Sequence, residues 1–255
     1  MITVEPSPAT FFDRSAIDAV VFDIGGVFTI RHRDFVRPAL VGGGFDAPRD
    51  PQAYHRAHHA AVRAMSDLLA DNDAVHEYER EMWAHWEQGY MRGLGIAEDQ
   101  VAAAAEAVMA VVSTTEVKDM WCQLLDENVE GFRRIVASGI PVAIVSNNDG
   151  TAEAQLLHFG ICQVGDGPLP SVSIVVDSGI VGAAKPDPAI FEPALAALGT
   201  EPSRTLYIGD TVHADVRGAE AAGMRVVQLD PYDLHADFDH ARMATVSALA
   251  DALGV

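Results

Sequence analysis

Cysteine is nearly missing from this 255-residue chain. Cys122 and Cys162 stand far apart, outside any metal-ligand spacing. That excludes a disulfide framework and a cysteine-built metal centre, and it points to reduced thiols in the cytoplasm. Positive charge is scarce as well. Lys and Arg number 17 against 37 Asp and Glu, a formal net charge of −20. Such a surface repels nucleic acid and anionic membranes, so neither is expected as a partner. Long hydrophobic runs are absent: the most apolar helix candidate, Val101–Val112, is alanine-rich, broken by Glu106 and too short to span a bilayer. Met1–Ser15 has no basic start followed by an apolar stretch, so no signal peptide is expected and the expected location is cytoplasmic.

What is present suits a globular enzyme. Apolar residues make up 49% of the chain, enough for one sizeable α/β domain with a smaller insert. The segment Ala19-Val20-Val21-Phe22-Asp23-Ile24-Gly25-Gly26 runs four apolar residues into a carboxylate and then two glycines. It reads as a buried parallel strand ending in a tight turn. The carboxyl ends of such strands are where ligands bind in open α/β sheets. A carboxylate placed there needs a cation or a chemical task, or it merely caps the next turn.

Three further segments share that character. Val142–Val145 ends in Ser146 and Asn147. Lys185 precedes Pro186 in a stiff turn ahead of a helical pattern. Leu206–Ile208 runs into Gly209 and Asp210, with Asp215 following. The order Asp, Ser, Lys, Gly-Asp and a further Asp resembles the haloacid dehalogenase superfamily, over Ala19–Phe28 and about Glu130 to Leu229. Most of that superfamily are Mg²⁺-dependent phosphatases working through an aspartyl phosphate.

The resemblance implies Asp23 as nucleophile, with Ser146 and Asn147 binding phosphate through a hydroxyl and a backbone N–H. It implies Lys185 as the charge that balances the transition state. Asp23, the Gly25 carbonyl, Asp210 and Asp215 become the candidate Mg²⁺ ligands, and the two strand-end carboxylates should approach within about 5 Å. Asp215 has two other possible tasks, holding Lys185 or capping the helix after it. The substrate expected is a small phosphorylated metabolite. A monomer and a homodimer fit the sequence equally.

Gly25 departs from the pattern. Most phosphatases of this superfamily place a second Asp there, the general acid for the leaving oxygen. Losing a general acid costs about 10²–10⁴-fold in rate, or roughly 3–5 kcal/mol. Good leaving groups, such as those of sugar 1-phosphates, acyl phosphates or aryl phosphates, would suffer least. His32 is the candidate nearest in sequence for a substitute donor. Dehalogenases and phosphonate-cleaving members also lack the second Asp. The former need no metal, whereas this chain keeps Asp210; the latter use a lysine on the cap, whereas Gln52–Val112 contains none. A catalytically silent binding protein of the same fold is the rival from another class.

The alternation of strands and helices after Asn128 implies a doubly wound, Rossmann-like parallel sheet with helices on both faces. The expected helices there are Val129–Ala137, Ala152–His158, Ala189–Leu198 and Ala214–Ala222. The expected strands include Val172–Val176, Ile180–Val181 and Val226–Leu229. Residues 31–117 read as an all-helical cap inserted after the first strand, and 16–30 with 118–255 as the core. In the insert, Tyr54, His58, Val62, Met65 and Leu69 form one helical stripe, and Val75, Tyr78, Met82, Trp86 and Tyr90 a second. Ala97–Val112 makes a third helix, while Val41–Pro51 reads as a loop. The insert's His and Arg residues, among them His55, Arg56, His58, His59 and Arg63, either face an anionic substrate or form a solvated surface with i,i+4 pairs.

Overall fold

In the computed structural model, the residues described are 14–69, 79–114 and 120–255. The chain divides into two compact units. One comprises Met1–Phe28, Leu125–Pro231 and Asp239–Val255; the other comprises Thr29–Leu124 and Tyr232–Phe238. No helix among the described residues is long and apolar enough to cross a membrane.

The first unit is built on six strands: β1 (Ala19–Phe22), β2 (Val142–Ser146), β3 (Val175–Asp177), β4 (Thr205–Gly209), β5 (Arg225–Leu229) and β6 (Arg242–Met243). They pair in the order β6-β5-β4-β1-β2-β3, and every pairing is parallel. All four residues of β1 are fully buried, as a strand covered on both faces requires. On one face Val21 joins Val145, Ile190, Ala194 and Tyr207. On the other, Phe22 packs with Phe28 and Phe132, ring centroids 5.1–5.7 Å apart. Phe132 comes from the helix Asp126–Ala137 and Ala194 from the helix Glu192–Leu198, so helices cover both faces of a doubly wound sheet. The chain moves outward from β1 through β2 to β3, then returns to β4 on the other side. The strand order therefore reverses at β1, which puts the ligand crevice at the carboxyl ends of β1 and its neighbours.

The structure corrects several local expectations. Ile180–Val181 is not a strand: Ser178–Val181 is a single helical turn. The Asp177 side chain caps it by accepting from Gly179 N, and Gly182 ends it in the left-handed region. The run 172–176 is divided. Ser171–Val172 pairs with Gln163–Val164, while Val175 begins β3. Ala189–Leu198 starts as a 3₁₀ turn over Pro188–Phe191, and Ala214–Ala222 opens on a π turn over Val212–Val216 before Arg217–Ala221. Strand β6 and the helix Val246–Leu253 had no counterpart in the sequence reading.

The second unit contains four helices among its described residues, Arg33–Gly42, Pro51–Leu69, Glu79–Gly93 and Val101–Val112, with the antiparallel pair Thr29–Ile30 and Gln123–Leu124. The stripe from Tyr54 to Leu69 is buried throughout. Trp86 and Tyr90 of the second stripe are buried too, with Met82 partly so; Val75 and Tyr78 lie outside the described residues. Helix Arg33–Gly42 is not among the helices expected from the sequence. His32 caps it by accepting from Asp34 N, and Val36 and Leu40 are buried one turn apart. Its last two residues fall in the expected loop.

Neither reading of the insert's basic residues accounts for the histidines. His58 and His59 are buried. Burial, with His58 beside it, holds the His59 pKa well below its usual value. The same causes lower His55 to about 4, so both are neutral at pH 7. Arg63 makes an i,i+4 pair with Asp67 and a second pair with Asp237. Tyr232–Phe238 groups with this unit because His55 Nδ1 meets Tyr232 Oη at 2.8 Å, Ser66 Oγ meets His235 Nε2 at 3.2 Å, and Arg63 donates to Leu234 O. The sequence alone places that segment in the core.

Gly131 yields a test of the first unit's packing. A Cβ there would stand 2.4 Å from backbone atoms of Val246 and Ser247. Replacing a mid-helix glycine by alanine normally gains about 0.5–1 kcal/mol, whereas overpacking against backbone costs about 1–3 kcal/mol. Gly131→Ala is therefore expected to be net destabilising, by about 1–2 kcal/mol in urea denaturation. A stabilised variant would show that the helix Val246–Leu253 moves aside freely.

Candidate active site

Three strand ends and one loop deliver the chemistry. Asp23 follows β1, and its N–H donates to Ile208 O of the neighbouring β4 at 2.9 Å. Asp210 follows β4. Ser146 ends β2, on the other side of β1, and lies in register with Asp177 of β3. Asp23, Ser146, Lys185, Asp210 and Asp215 are all buried. Asp23, Asp210 and Asp215 each offer an oxygen within 4.8 Å of the other two.

Lys185 occupies the centre of this group. Its Nζ lies 2.7 Å from Asp215 Oδ1, 2.8 Å from Tyr207 Oη and 2.9 Å from Asp23 Oδ1. Burial alone would lower the ammonium's pKa, but the carboxylates of Asp215 and Asp23 outweigh it and raise the net value. Asp215 is the counterpart: burial raises its carboxyl, yet the Lys185 ammonium and the Thr211 hydrogen bonds hold it below the ordinary range. Asp23 goes the other way. Burial pushes it up to about 6, Lys185 opposes that, and the carboxylates of Asp215 and Asp210 add to it.

The loop carrying Lys185 is fixed by Asn147. Its Oδ1 accepts from Lys185 N at 2.8 Å and its Nδ2 donates to Lys185 O at 2.9 Å. The Asn147 side chain thus ties the end of β2 to the lysine. Asp215 accepts five hydrogen bonds. Oδ1 takes Lys185 Nζ and Tyr207 Oη, while Oδ2 takes the N–H groups of Asp210 and Thr211 and the Thr211 hydroxyl. It is no helix cap: it lies inside the π turn, which Thr211 caps. Gln228 of β5 donates to Asp210 O at 2.8 Å and fixes that backbone from the far side.

Tyr207, Thr211 and Gln228 were not among the sequence candidates. Tyr207 reads as one more large residue in an apolar strand. Thr211 carries a usable signal, since Thr four residues before an Asp at a helix start favours capping. Of the other sequence candidates, Gly25 adjoins the group in the turn after Asp23. His32 serves as the helix cap described above.

The donor set fits a divalent cation. Three buried carboxylates face one ammonium, leaving excess negative charge in a site that water scarcely reaches. The buried Asp23 Oδ1 accepts no hydrogen bond of good geometry; its contact with Lys185 is an ion pair. Gly26 completes the cradle, with φ at +67° and a Cβ position only 1.9 Å from Asp210 Oδ2. Any side chain there would displace the carboxylate.

The chain matches the family model of haloacid dehalogenase-like hydrolases over residues 17–223. A phosphoserine phosphatase of Thermus thermophilus is 38% identical over 92 residues, 36% of this chain and 34% of its own length. A glyceraldehyde 3-phosphate phosphatase of Methanothermobacter thermautotrophicus is 38% identical over 118 residues, 46% of each chain. The match thus spans about a third to a half of those phosphatases. A HAD-hydrolase of Bacillus subtilis, YfnB, solved bound to magnesium, shares the fold with a TM-score of 0.56 at 17% identity, over 94% of this chain and 99% of that one.

Asp215 is the most heavily bonded member of the group, which sets the expected cost of losing it. Removing one partner of a buried ion pair leaves the other charge uncompensated, at about 3–5 kcal/mol. Asp215→Ala should lose about that much stability in chemical denaturation at pH 7. A loss under 1 kcal/mol would mean that Lys185 is held by Asp23 alone.

Proposed function

The chain belongs to the haloacid dehalogenase-like hydrolases, and from that membership we propose that it is a cytoplasmic, Mg²⁺-dependent phosphatase of a small phosphorylated metabolite. Asp23 carries the reaction through an aspartyl phosphate. One observation supports this reading above the others: the Asp23 carboxylate is buried beside both the Asp210 carboxylate and the Lys185 ammonium. That is the environment a carboxylate needs to serve as nucleophile and cation ligand together.

Mg²⁺, when bound, supplies positive charge against the phosphate oxygens; Asp23, Asp210 and the Gly25 carbonyl would hold it. Asp23 attacks phosphorus through one carboxylate oxygen, and the bond to the leaving oxygen breaks with its electron pair. Water then attacks the same phosphorus, releasing inorganic phosphate and restoring the carboxylate. Lys185 balances the negative charge that grows on the phosphoryl oxygens, and Ser146 and the Asn147 N–H bind them. Asp215 was a candidate for the cation as well. With five donors on its oxygens, we assign it to holding Lys185.

Gly25 shapes the substrate range. It offers no proton to the leaving oxygen, so the enzyme favours substrates whose leaving group departs unprotonated, sugar 1-phosphates among them. The same glycine is the one feature that favours the silent binding protein. The buried acidic group weighs against that reading and against a metal-free dehalogenase, because neither needs Asp210 beside Asp23.

Two expected outcomes test the proposal. Mg²⁺ at a hundred times its Kd should stabilise the protein by about 2.7 kcal/mol, read as a thermal shift. Asp23→Asn and Asp210→Asn should lose that shift, and Asp23→Asn should release no phosphate. Second, kcat/KM across a series of aryl and alkyl phosphates should rise steeply with leaving-group acidity. A flat series would reveal another proton donor. Failure to turn over any phosphate ester, with Mg²⁺ bound and the fold intact, would favour the binding protein.

A further inference from the structure

Tyr207 lies at the middle of β4, fully buried, in a strand whose other members are Thr205, Leu206, Ile208 and Gly209. Its ring packs on Phe191, and a phenylalanine would fill that space equally well. The hydroxyl is what needs explaining, since a buried phenol requires polar partners that a packing residue does not. It meets both members of the buried ion pair: it accepts from Lys185 Nζ at 2.8 Å and donates to Asp215 Oδ1 at 2.8 Å, with Val145 O farther off at 3.4 Å.

An ammonium has three N–H donors. Two are fixed by hydrogen bonds to Asp215 Oδ1 and Tyr207 Oη. The third faces Asp23, at ion-pair distance but outside good hydrogen-bond geometry. The nature of the second anchor matters. A carboxylate in place of the phenol would hold Nζ as firmly, but it would set a third negative charge against the ammonium beside those of Asp215 and Asp23. A neutral hydroxyl anchors without adding one.

We propose that Tyr207 is a positioning residue: its hydroxyl pins Lys185 with a neutral acceptor, adding no further negative charge to the two carboxylates already paired with the ammonium, and so keeps Nζ aimed at the anion bound over Asp23. That the anion is a phosphoryl group rests on the phosphatase reading; the pinning of Lys185 does not. Without the hydroxyl, Nζ keeps only its two carboxylates, and its existing ion pair with Asp23 tightens and competes with a cation for Asp23 Oδ1.

The test is Tyr207→Phe in the full-length protein, alone and combined with Lys185→Met. Lys118 and Lys185 are the chain's two lysines, so ¹⁵N-lysine labelling gives two side-chain ammonium signals, assigned with Lys118→Arg. In Tyr207→Phe the Lys185 signal should shift and its hydrogen exchange should quicken about tenfold, the effect of losing one charge-assisted hydrogen bond. The Mg²⁺ Kd by calorimetry should weaken about tenfold, and kcat on an aryl phosphate should fall about tenfold with KM changed less than threefold. In the Lys185→Met background the same substitution should change the Mg²⁺ Kd less than twofold, because Tyr207 acts through the lysine.

An unchanged Lys185 signal overturns the proposal. So does an equal loss of Mg²⁺ affinity in both backgrounds, which would mark Tyr207 as packing. A wild type that hydrolyses no phosphate ester defeats the phosphatase reading instead, and the lysine signal still decides the role of Tyr207.

Discussion

The buried ammonium of Lys185 is the contact on which the rest of the site depends. It ties the loop that carries it to the adjacent strands β1 and β4. Asp215 reaches it from the π turn after β4, Tyr207 from within β4, and Asp23 from the end of β1. The lysine's own backbone is clasped by Asn147 at the end of β2. A buried charge without partners is costly enough to forbid the fold, so the partners are as much a condition of folding as of chemistry. The chain has two lysines in all and places one of them here.

Charge imbalance gives the site its character. Two carboxylates touch that one ammonium and a third, Asp210, lies beside them, and the effect differs between the two that touch it. Asp215, with five donors, is held ionised. Asp23 carries the strain of burial and of its acidic neighbours, and is pushed up to about 6. A divalent cation between Asp23 and Asp210 would reverse that push, since an adjacent positive charge favours the ionised carboxyl. The net charge of −20 repels anions from the surface at large, so on the phosphatase reading an anionic substrate would be drawn only to where lysine and cation locally invert the sign.

The parts that were legible in the sequence are those where local chemistry and local fold coincide. A carboxylate at the end of a four-residue apolar run marks both a strand terminus and a reactive position, which is why Ala19–Phe22 and Asp23 were readable together. The position of Asp210 followed the same logic, whereas Lys185, in a turn between Ala184 and Pro186, was legible only through the resemblance of the ordered motifs. What stayed hidden was set by distant contacts. The hydroxyl of Tyr207 matters because of residues 22 positions before it and 8 after it, and nothing in Thr205–Gly209 announces that. Tyr232–Phe238 joins the helical unit through partners 169 to 177 residues away. Ile180–Val181 misled because β-branched residues suit a strand, while the deciding elements were a capping Asp177 on one side and Gly182 on the other. In Arg33–Gly42 a charged surface and Pro38 masked the single buried pair that makes the helix.

Gly25 makes proton supply the open question of the chemistry, and the residues gathered around Asp23 narrow the answer. A leaving oxygen needs a group that holds a proton near neutral pH and can release it. Lys185 holds its proton too tightly, because Asp215 and Asp23 raise its pKa. Tyr207 is worse placed still: burial, and then the carboxylate of Asp215, drive its hydroxyl well above the ordinary phenol range. Asp215 is kept ionised and has none to give. Burial pushes Asp23 up to about 6, but on the proposed mechanism it is spent as nucleophile and gives no proton in the same step. On the proposed mechanism these residues would supply attack and charge stabilisation and leave protonation to the substrate, so that the leaving group's own acidity would become the property selected.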